Sequence, residues 1–253
     1  EESGGVTANL LTNTPLPLPH REHRGACGII YRGMDAIRNI EMFGIDSLIS
    51  ESGLLKEEIT TEDLSFGIIP KLNVSSRLEH ANTSLQLLLS STKSQSVQIA
   101  KYLSKLNKQR QLITENALIE AKRQVVANKE KGENNILFTG KPDWQPGILG
   151  LIAGQLSEEH YRPSISVSGR GEILRASARS ISEFNMIEAL NSCGDIFEQF
   201  GGHAMAAGFT IKRNNLKNFR DIISSIANET LDNVPEGPEL IIDAEISPNW
   251  LNQ

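Results

Sequence analysis

The stretch Phe200-Gly201-Gly202-His203-Ala204-Met205-Ala206-Ala207-Gly208-Phe209 combines two adjacent glycines with a histidine. Paired glycines let backbone N–H groups come close to a ligand, so this segment could cradle a phosphate with an imidazole beside it. The same residues also suit a helix C-cap followed by an interior histidine whose ring is satisfied by its neighbours. In Ser177-Ala178-Arg179-Ser180, a predicted strand puts Ser177 and Arg179 on one face, setting a hydroxyl beside a guanidinium. That pair suits a phosphate oxygen, and it equally suits an edge-strand arginine paired with a carboxylate. After Pro70, the run Asn73-Val74-Ser75-Ser76-Arg77 places an amide, two hydroxyls and a guanidinium within five residues. It reads as a loop, either lining a polar cleft or forming a solvated turn.

Two-metal phosphodiester hydrolysis needs several Asp and His ligands converging on ions about 3.5–4 Å apart. No such set is visible. His20 and His23 fall in a proline-rich segment, His80 and His160 are isolated, and no Asp-x-Asp or His-His pair occurs. His20-Arg21-Glu22-His23-Arg24 could be drawn as a metal site, but a charged surface turn is the simpler reading. Cys27 and Cys193 have no Cys or His neighbours at metal-ligand spacing, which suggests neither a disulfide framework nor a zinc site. Without a Gly-Lys-Ser/Thr loop or a Gly-x-Ser-x-Gly elbow, nucleoside triphosphatase and serine hydrolase chemistries are also disfavoured.

The elements that must position these residues follow from periodicity. Thr, Pro and Gly dominate the first 30 or so residues, with Pro15, Pro17 and Pro19 alternating, so an extended surface segment is expected. Short helices are read from Tyr31 to Leu89, one opened by Thr60-Thr61-Glu62-Asp63, where a hydroxyl cap and early carboxylates suit a helix N-terminus. Over residues 93–131, Ile99, Leu103, Leu106, Ile113, Ala117, Ala121 and Val125 keep a helical period. Lys101, Lys105, Lys108, Lys122 and Arg123 lie elsewhere on that helix and, interspersed with Glu115 and Glu120, read as a solvated face rather than a DNA track. Strands and helices alternate after the polar run 129–134: strand 136–138, helix 147–158, strands 164–168 and 172–181, helix 186–200, strand 207–212, helix 215–230 and strand 239–246. A mixed sheet with helices packed on it is the expected fold there.

With 253 residues and 39% hydrophobic content, the chain is long enough for two modest domains and too apolar to be disordered. The formal charge of −6 provides no global field for nucleic acid, so phosphate binding must come from local clusters. A reducing cytoplasm fits the cysteine usage, and no run approaches the roughly 18 apolar residues that span a bilayer. The start, Glu1-Glu2-Ser3-Gly4-Gly5, and the end at Gln253 both look like cuts within a longer protein.

Taken in order, Ser177-Ala178-Arg179-Ser180-Ile181, Phe184-Asn185, Glu188-Ala189-Leu190 and Phe200 to Gly208 resemble the signature of the DHH-associated domain of the RecJ exonuclease family. Supporting segments are Gly147 to Gly154, Tyr161-Arg162-Pro163, and Ile59 through Asn73 to Arg77-Leu78, which is similar to the end of the family's catalytic domain. The likeness covers roughly residues 28–246. It implies an α/β architecture: the C-terminal part of a DHH catalytic domain (1–92), a long connecting helix (93–132), a mixed-sheet DHH-associated domain (133–246), and the start of a further region (247–253).

The resemblance further implies 5′-to-3′ removal of nucleotides from single-stranded DNA, in repair or recombination, by metal-activated water in a cleft between the two domains. By matching positions, Arg77, Ser177 and Arg179 would hold a substrate phosphate, with Asn73 nearby. Gly201 and Gly202 would donate backbone N–H groups, and His203 would stabilise charge at the scissile phosphate. A divalent metal, Mg or Mn, is expected for the whole enzyme, with its ligands upstream of this chain, so the chain alone should not cut. Two departures stand out: Asn73-Val74-Ser75-Ser76 replaces small residues ending in Gly, and Gln155 stands where a basic residue is common. Single-stranded DNA is the expected partner. Two other readings are a small-nucleotide phosphodiesterase of the same superfamily and a non-catalytic module that binds single strands.

Overall fold

The computed structural model describes residues 26–39, 41–130 and 135–232, with Val234, Gly237, Pro238 and Ile242. The expected extended segment at the start, with His20 and His23, lies outside these residues up to position 25. So do the region 247–253 and, apart from Ile242, the expected strand at 239–246. Two compact units are present, residues 1–113 and 114–253, the division falling within one long helix.

In unit 1, α1 (Ala26–Asn39), α2 (Phe43–Glu51), α3 (Ile69–Leu78) and α4 (Asn82–Leu88) precede α5 (Lys93–Lys129). Thr60 caps its helix as the sequence predicts. Its Oγ1 accepts from the Asp63 N–H at 3.1 Å, and its own N–H donates to Asp63 Oδ2 at 2.9 Å. This reciprocal pairing satisfies two donors at a helix start, and the Thr60 hydrogen bonds hold the Asp63 carboxyl below its ordinary pKa. The continuation, Asp63–Ile68, is a π-helical turn leading straight into α3. Ile45, Leu48, Ile49, Val74, Leu87 and Leu103 form the core of this unit. Buried hydroxyl pairs, Ser47 with Ser96 at 2.8 Å and Ser75 with Ser84 at 2.7 Å, join α2 to α5 and α3 to α4.

The period of α5 is reproduced in its burial: Leu103, Leu106, Ala117, Ala121 and Val125 are buried, while Lys101, Lys105, Lys108 and Arg123 are exposed. No helix among the described residues is long and apolar enough to cross a membrane.

Among the described residues, unit 2 holds a five-stranded mixed sheet. Its strands β1 (Leu137–Gly140), β2 (Ser164–Ser168), β3 (Ile173–Arg179), β4 (Phe197–His203) and β5 (Ala206–Lys212) run in the order β1-β2-β3-β5-β4. Among the described strands only β1 and β2 pair parallel, as a crossover through α6 (Pro146–His160) requires. The helices α7 (Met186–Ser192) and α8 (Leu216–Leu231) complete the unit. One face of the sheet is apolar. Ile165, Val167, Leu174, Ala176, Phe209 and Ile211 build the core there with Phe219 and Ile223 of α8. Burial pushes the Cys193 thiol up to about 11, leaving it unreactive at neutral pH.

The expected helix over 186–200 is corrected. It ends at Ser192, Gly194 at φ +73° turns the chain, and Phe197 begins β4. The misreading has a physical source. A register shift between Phe197 and Gln199 inserts an extra residue into β4, so Phe197 and Phe200 both turn toward the apolar face with rings 5.2 Å apart. A β-bulge thereby imitates the i, i+3 spacing of a helix.

Candidate functional site

The other face of the sheet is polar, and cross-strand register sorts its side chains into rows. Ser164, Arg179, Ala206 and His203 form one row; Ser166, Ser177, Gly208 and Gly201 the next; Ser168, Arg175, Thr210 and Gln199 the third. Over β2 and β3 this face is covered by α6, beneath which Ser164, Ser166 and Ser168 are buried and Thr139 meets Ser166 at 3.0 Å. Over β5 and β4 the face is open: Gly208, Gly201 and His203 are exposed. Ser177 and Arg179 stand at the border between the covered and open parts.

Arg179 lies on an interior strand, not an edge. Its Nη1 donates to Ser177 Oγ at 3.2 Å and to the Ala178 carbonyl at 2.8 Å, so the hydroxyl and the guanidinium do share one face. Their position depends on α6. A Cβ at Gly150 would lie 2.7 Å from Arg179 Nη2 and 3.1 Å from Ser177 Oγ. Only glycine lets the guanidinium rest against the helix there. The sequence signal for this role was a glycine inside a helical pattern, which ordinarily costs about 1 kcal/mol relative to alanine and so asks for a reason.

Gly201, Gly202 and His203 form neither a helix cap nor a turn. They are the last three residues of β4, paired with Gly208, Ala207 and Ala206 of β5. In a regular antiparallel ladder, adjacent residues direct their N–H groups alternately toward and away from the partner strand. Only one of the two glycines can therefore offer its N–H outward from the sheet edge. His203 is exposed rather than interior, and its Nδ1 accepts the Met205 N–H at 3.3 Å. This leaves Nε2 as the protonated nitrogen of the neutral ring, a donor aimed away from its own backbone.

In unit 1, Asn73 and Arg77 are not in a loop. They sit four residues apart on α3, which Pro70 opens near its first position and whose Val74 and Ser75 are buried. Spacing of four puts both side chains on one helix face. Desolvation lowers the pKa of Arg77, and burial together with the Arg77 charge lowers that of Arg110 on α5. Two guanidiniums thus lie within each other's field, an arrangement that an anion would relieve. Arg110 was not among the residues that the sequence singled out.

A cavity of about 480 Å³ opens elsewhere in unit 2, beside Phe138, Gly140 and Lys141. Its guanidiniums are committed: Arg213 to the carbonyls of Gly171 and Gly169 at 3.1 and 2.8 Å, and Arg220 over the Phe138 ring at 5.1 Å. Ser168 of the polar face lines this cavity, but neither Ser177 nor Arg179 does.

Residues 133–229 match the DHHA1 domain. The single-stranded-DNA-specific exonuclease RecJ of Bacillus subtilis is 34% identical over 202 residues, covering 79% of this chain and 25% of that protein. Crystal structures of RecJ from Thermus thermophilus superpose with a TM-score of 0.74. The one in complex with Mn2+ is 25% identical and is covered to 32% by this chain, which aligns over 88% of its own length. The one in complex with Mg2+ is 24% identical, with coverage of 35% and 93%. The chain thus spans about a quarter to a third of the length of these proteins.

A divalent metal, Mg2+ or Mn2+, accordingly belongs to the family. Among the described residues there is no group of three or more His, Cys, Asp or Glu side chains placed to hold a metal ion. The chain thus carries a DHHA1 domain over residues 133–229 and, over the region in common, is similar in sequence and fold to a part of the RecJ exonucleases.

Proposed function

We propose that the chain is the phosphate-gripping part of a RecJ-type enzyme that removes nucleotides from the 5′ end of single-stranded DNA by metal-dependent phosphodiester hydrolysis. The observation that supports this best is the Ser177–Arg179 pair held against Gly150 at the border of an open polar sheet face. A phosphate at that border would take charge-assisted hydrogen bonds from the guanidinium and a hydroxyl bond from Ser177. His203, in the same row as Arg179, would present Nε2–H to a neighbouring phosphate oxygen. Either Gly201 or Gly202 would add one outward N–H. Arg77, with Asn73 on the same helix face and Arg110 beside it, offers a second cationic position on unit 1.

The test is binding at low salt of a single-stranded oligonucleotide with a 5′-phosphate against the same strand with a 5′-hydroxyl. The chain should prefer the phosphate, and Arg179→Ala should weaken it by about 10- to 100-fold, the range for a hydrogen bond to a charged group. Equal binding of both strands by both proteins would reject the reading. A dinucleotide bound as tightly as the long strand would favour a small-nucleotide phosphodiesterase instead.

Gly150→Ala separates positioning from stability. Alanine improves helix propensity by about 1 kcal/mol, and the atom it displaces is the far end of a flexible side chain. Stability should be unchanged or slightly raised, while affinity for the 5′-phosphorylated strand falls about tenfold. Unchanged affinity would mean that Arg179 does not need its seat on α6.

A further inference from the structure

Arg175 is in the same strand and on the same face as Ser177 and Arg179, one row beyond Ser177. It is exposed, and no hydrogen bond or ion pair engages its guanidinium among the described residues. The open row around it is polar throughout: Thr210 lies directly opposite on β5, and Gln199 beyond it on β4. Neither side chain has a hydrogen-bond partner among the described residues. Four residues of extended strand separate Arg175 from Arg179, about 13 Å between Cα atoms. Between them at the sheet surface the register puts only Ser177 and the glycines Gly208 and Gly201 in the middle row. On β5 and β4, the open part of the face, that middle row is glycine alone, so no side chain stands there between the row of Arg175 and the row of Arg179.

We propose that Arg175, with the Thr210 hydroxyl opposite it, is a second phosphate-binding position on this face, taking an additional phosphate of the same ligand that Ser177 and Arg179 grip. The proposal rests on the phosphate-gripping reading of Arg179 and extends it from a single contact to a track. On a chain with a formal charge of −6, attraction of a polyanion depends on such local alignments of cations. The ligand class is a single strand carrying at least two phosphates within reach of one sheet face.

The experiment compares wild type, Arg175→Ala and Arg179→Ala, each titrated with thymidine 5′-monophosphate and with a 5′-phosphorylated oligothymidylate over a range of salt. For the oligonucleotide, Arg175→Ala should lower affinity about five- to tenfold at low salt. The slope of log K against log salt should become shallower by about 0.7, the loss of one phosphate contact to a single strand. The mononucleotide, with one phosphate, should bind Arg175→Ala as it binds wild type, whereas Arg179→Ala should weaken both ligands. An Arg175→Ala protein that loses mononucleotide and oligonucleotide equally would show a single site and overturn the proposal. Loss in Arg179→Ala with none in Arg175→Ala overturns the second position and leaves the first intact; loss in neither overturns both readings.

Discussion

Phe219→Ala should remove about 3–5 kcal/mol from the stability of unit 2, the usual cost of emptying a large buried aromatic site. Phe219 is fully buried at the start of α8. Its ring stands edge-on to Phe138 at 6.1 Å, Phe197 at 5.3 Å and Phe209 at 5.0 Å, so one side chain links β1, β4 and β5 to the helix. Those neighbours are themselves held by strand pairing and cannot collapse into the void, which puts the loss toward the upper part of the range. Aromatic edge contacts worth about 0.5–1.5 kcal/mol each beyond area burial disappear at the same time. The measurement is hydrogen exchange of the unit 2 amides, which reports this unit without requiring the whole chain to unfold in one step. A loss below about 1 kcal/mol would show that the aromatic cluster is not what joins sheet and helix. Because Phe197 opens β4, exchange should rise first in that strand, and the row containing His203 would lose its frame.

Much of this architecture was legible because apolar periodicity is a strong signal. The long helix, α6, β2, β5 and α8 all fall within a few residues of the expected ranges, and burial follows the predicted faces. The failures are as instructive. Asn73, Ser75 and Ser76 looked like a loop because short polar side chains compete for backbone hydrogen bonds. In α3 that competition is met locally: Ser76 Oγ donates to the Asn73 carbonyl at 2.9 Å and Ser84 Oγ to the Leu72 carbonyl at 2.5 Å. The first of these lies within a single helical turn; the second is a contact between α4 and α3 that the run 73–77 does not contain. The β4 misreading has the same character, since a bulge is a property of two strands and only one of them is visible in the run Phe197 to Phe200. Ser177 with Arg179 could be read from alternation alone. The need for Gly150 against them could not, because it arises from a helix and a strand more than 25 residues apart meeting across the sheet.

The adjacent glycines Gly201 and Gly202 should behave oppositely when each is changed to alanine. Gly202 has φ +153°, a conformation that L side chains rarely adopt. A Cβ there would press on the Ala206 carbonyl oxygen and lie 2.6 Å from Ala207 Cα and 2.8 Å from Ala207 Cβ. All three belong to the paired strand, so relief requires β4 to separate from β5 rather than a side chain to swing aside. Backbone strain of about 1–3 kcal/mol and overpacking of similar size act together. Gly202→Ala should therefore cost about 3 kcal/mol, seen as fast exchange at the end of β4 and a displaced His203. Close approach at this glycine is thus to the protein's own backbone. Gly201 meets nothing within 4 Å at its Cβ position and stands beside Gly208 on the open face. Gly201→Ala should change stability by less than about 1 kcal/mol, yet put a methyl group where a strand would lie and weaken binding of a 5′-phosphorylated oligonucleotide. If instead Gly201→Ala unfolded β4 while Gly202→Ala only lowered affinity, the register of this edge strand would have to be shifted by one residue, and with it the face on which His203 is presented.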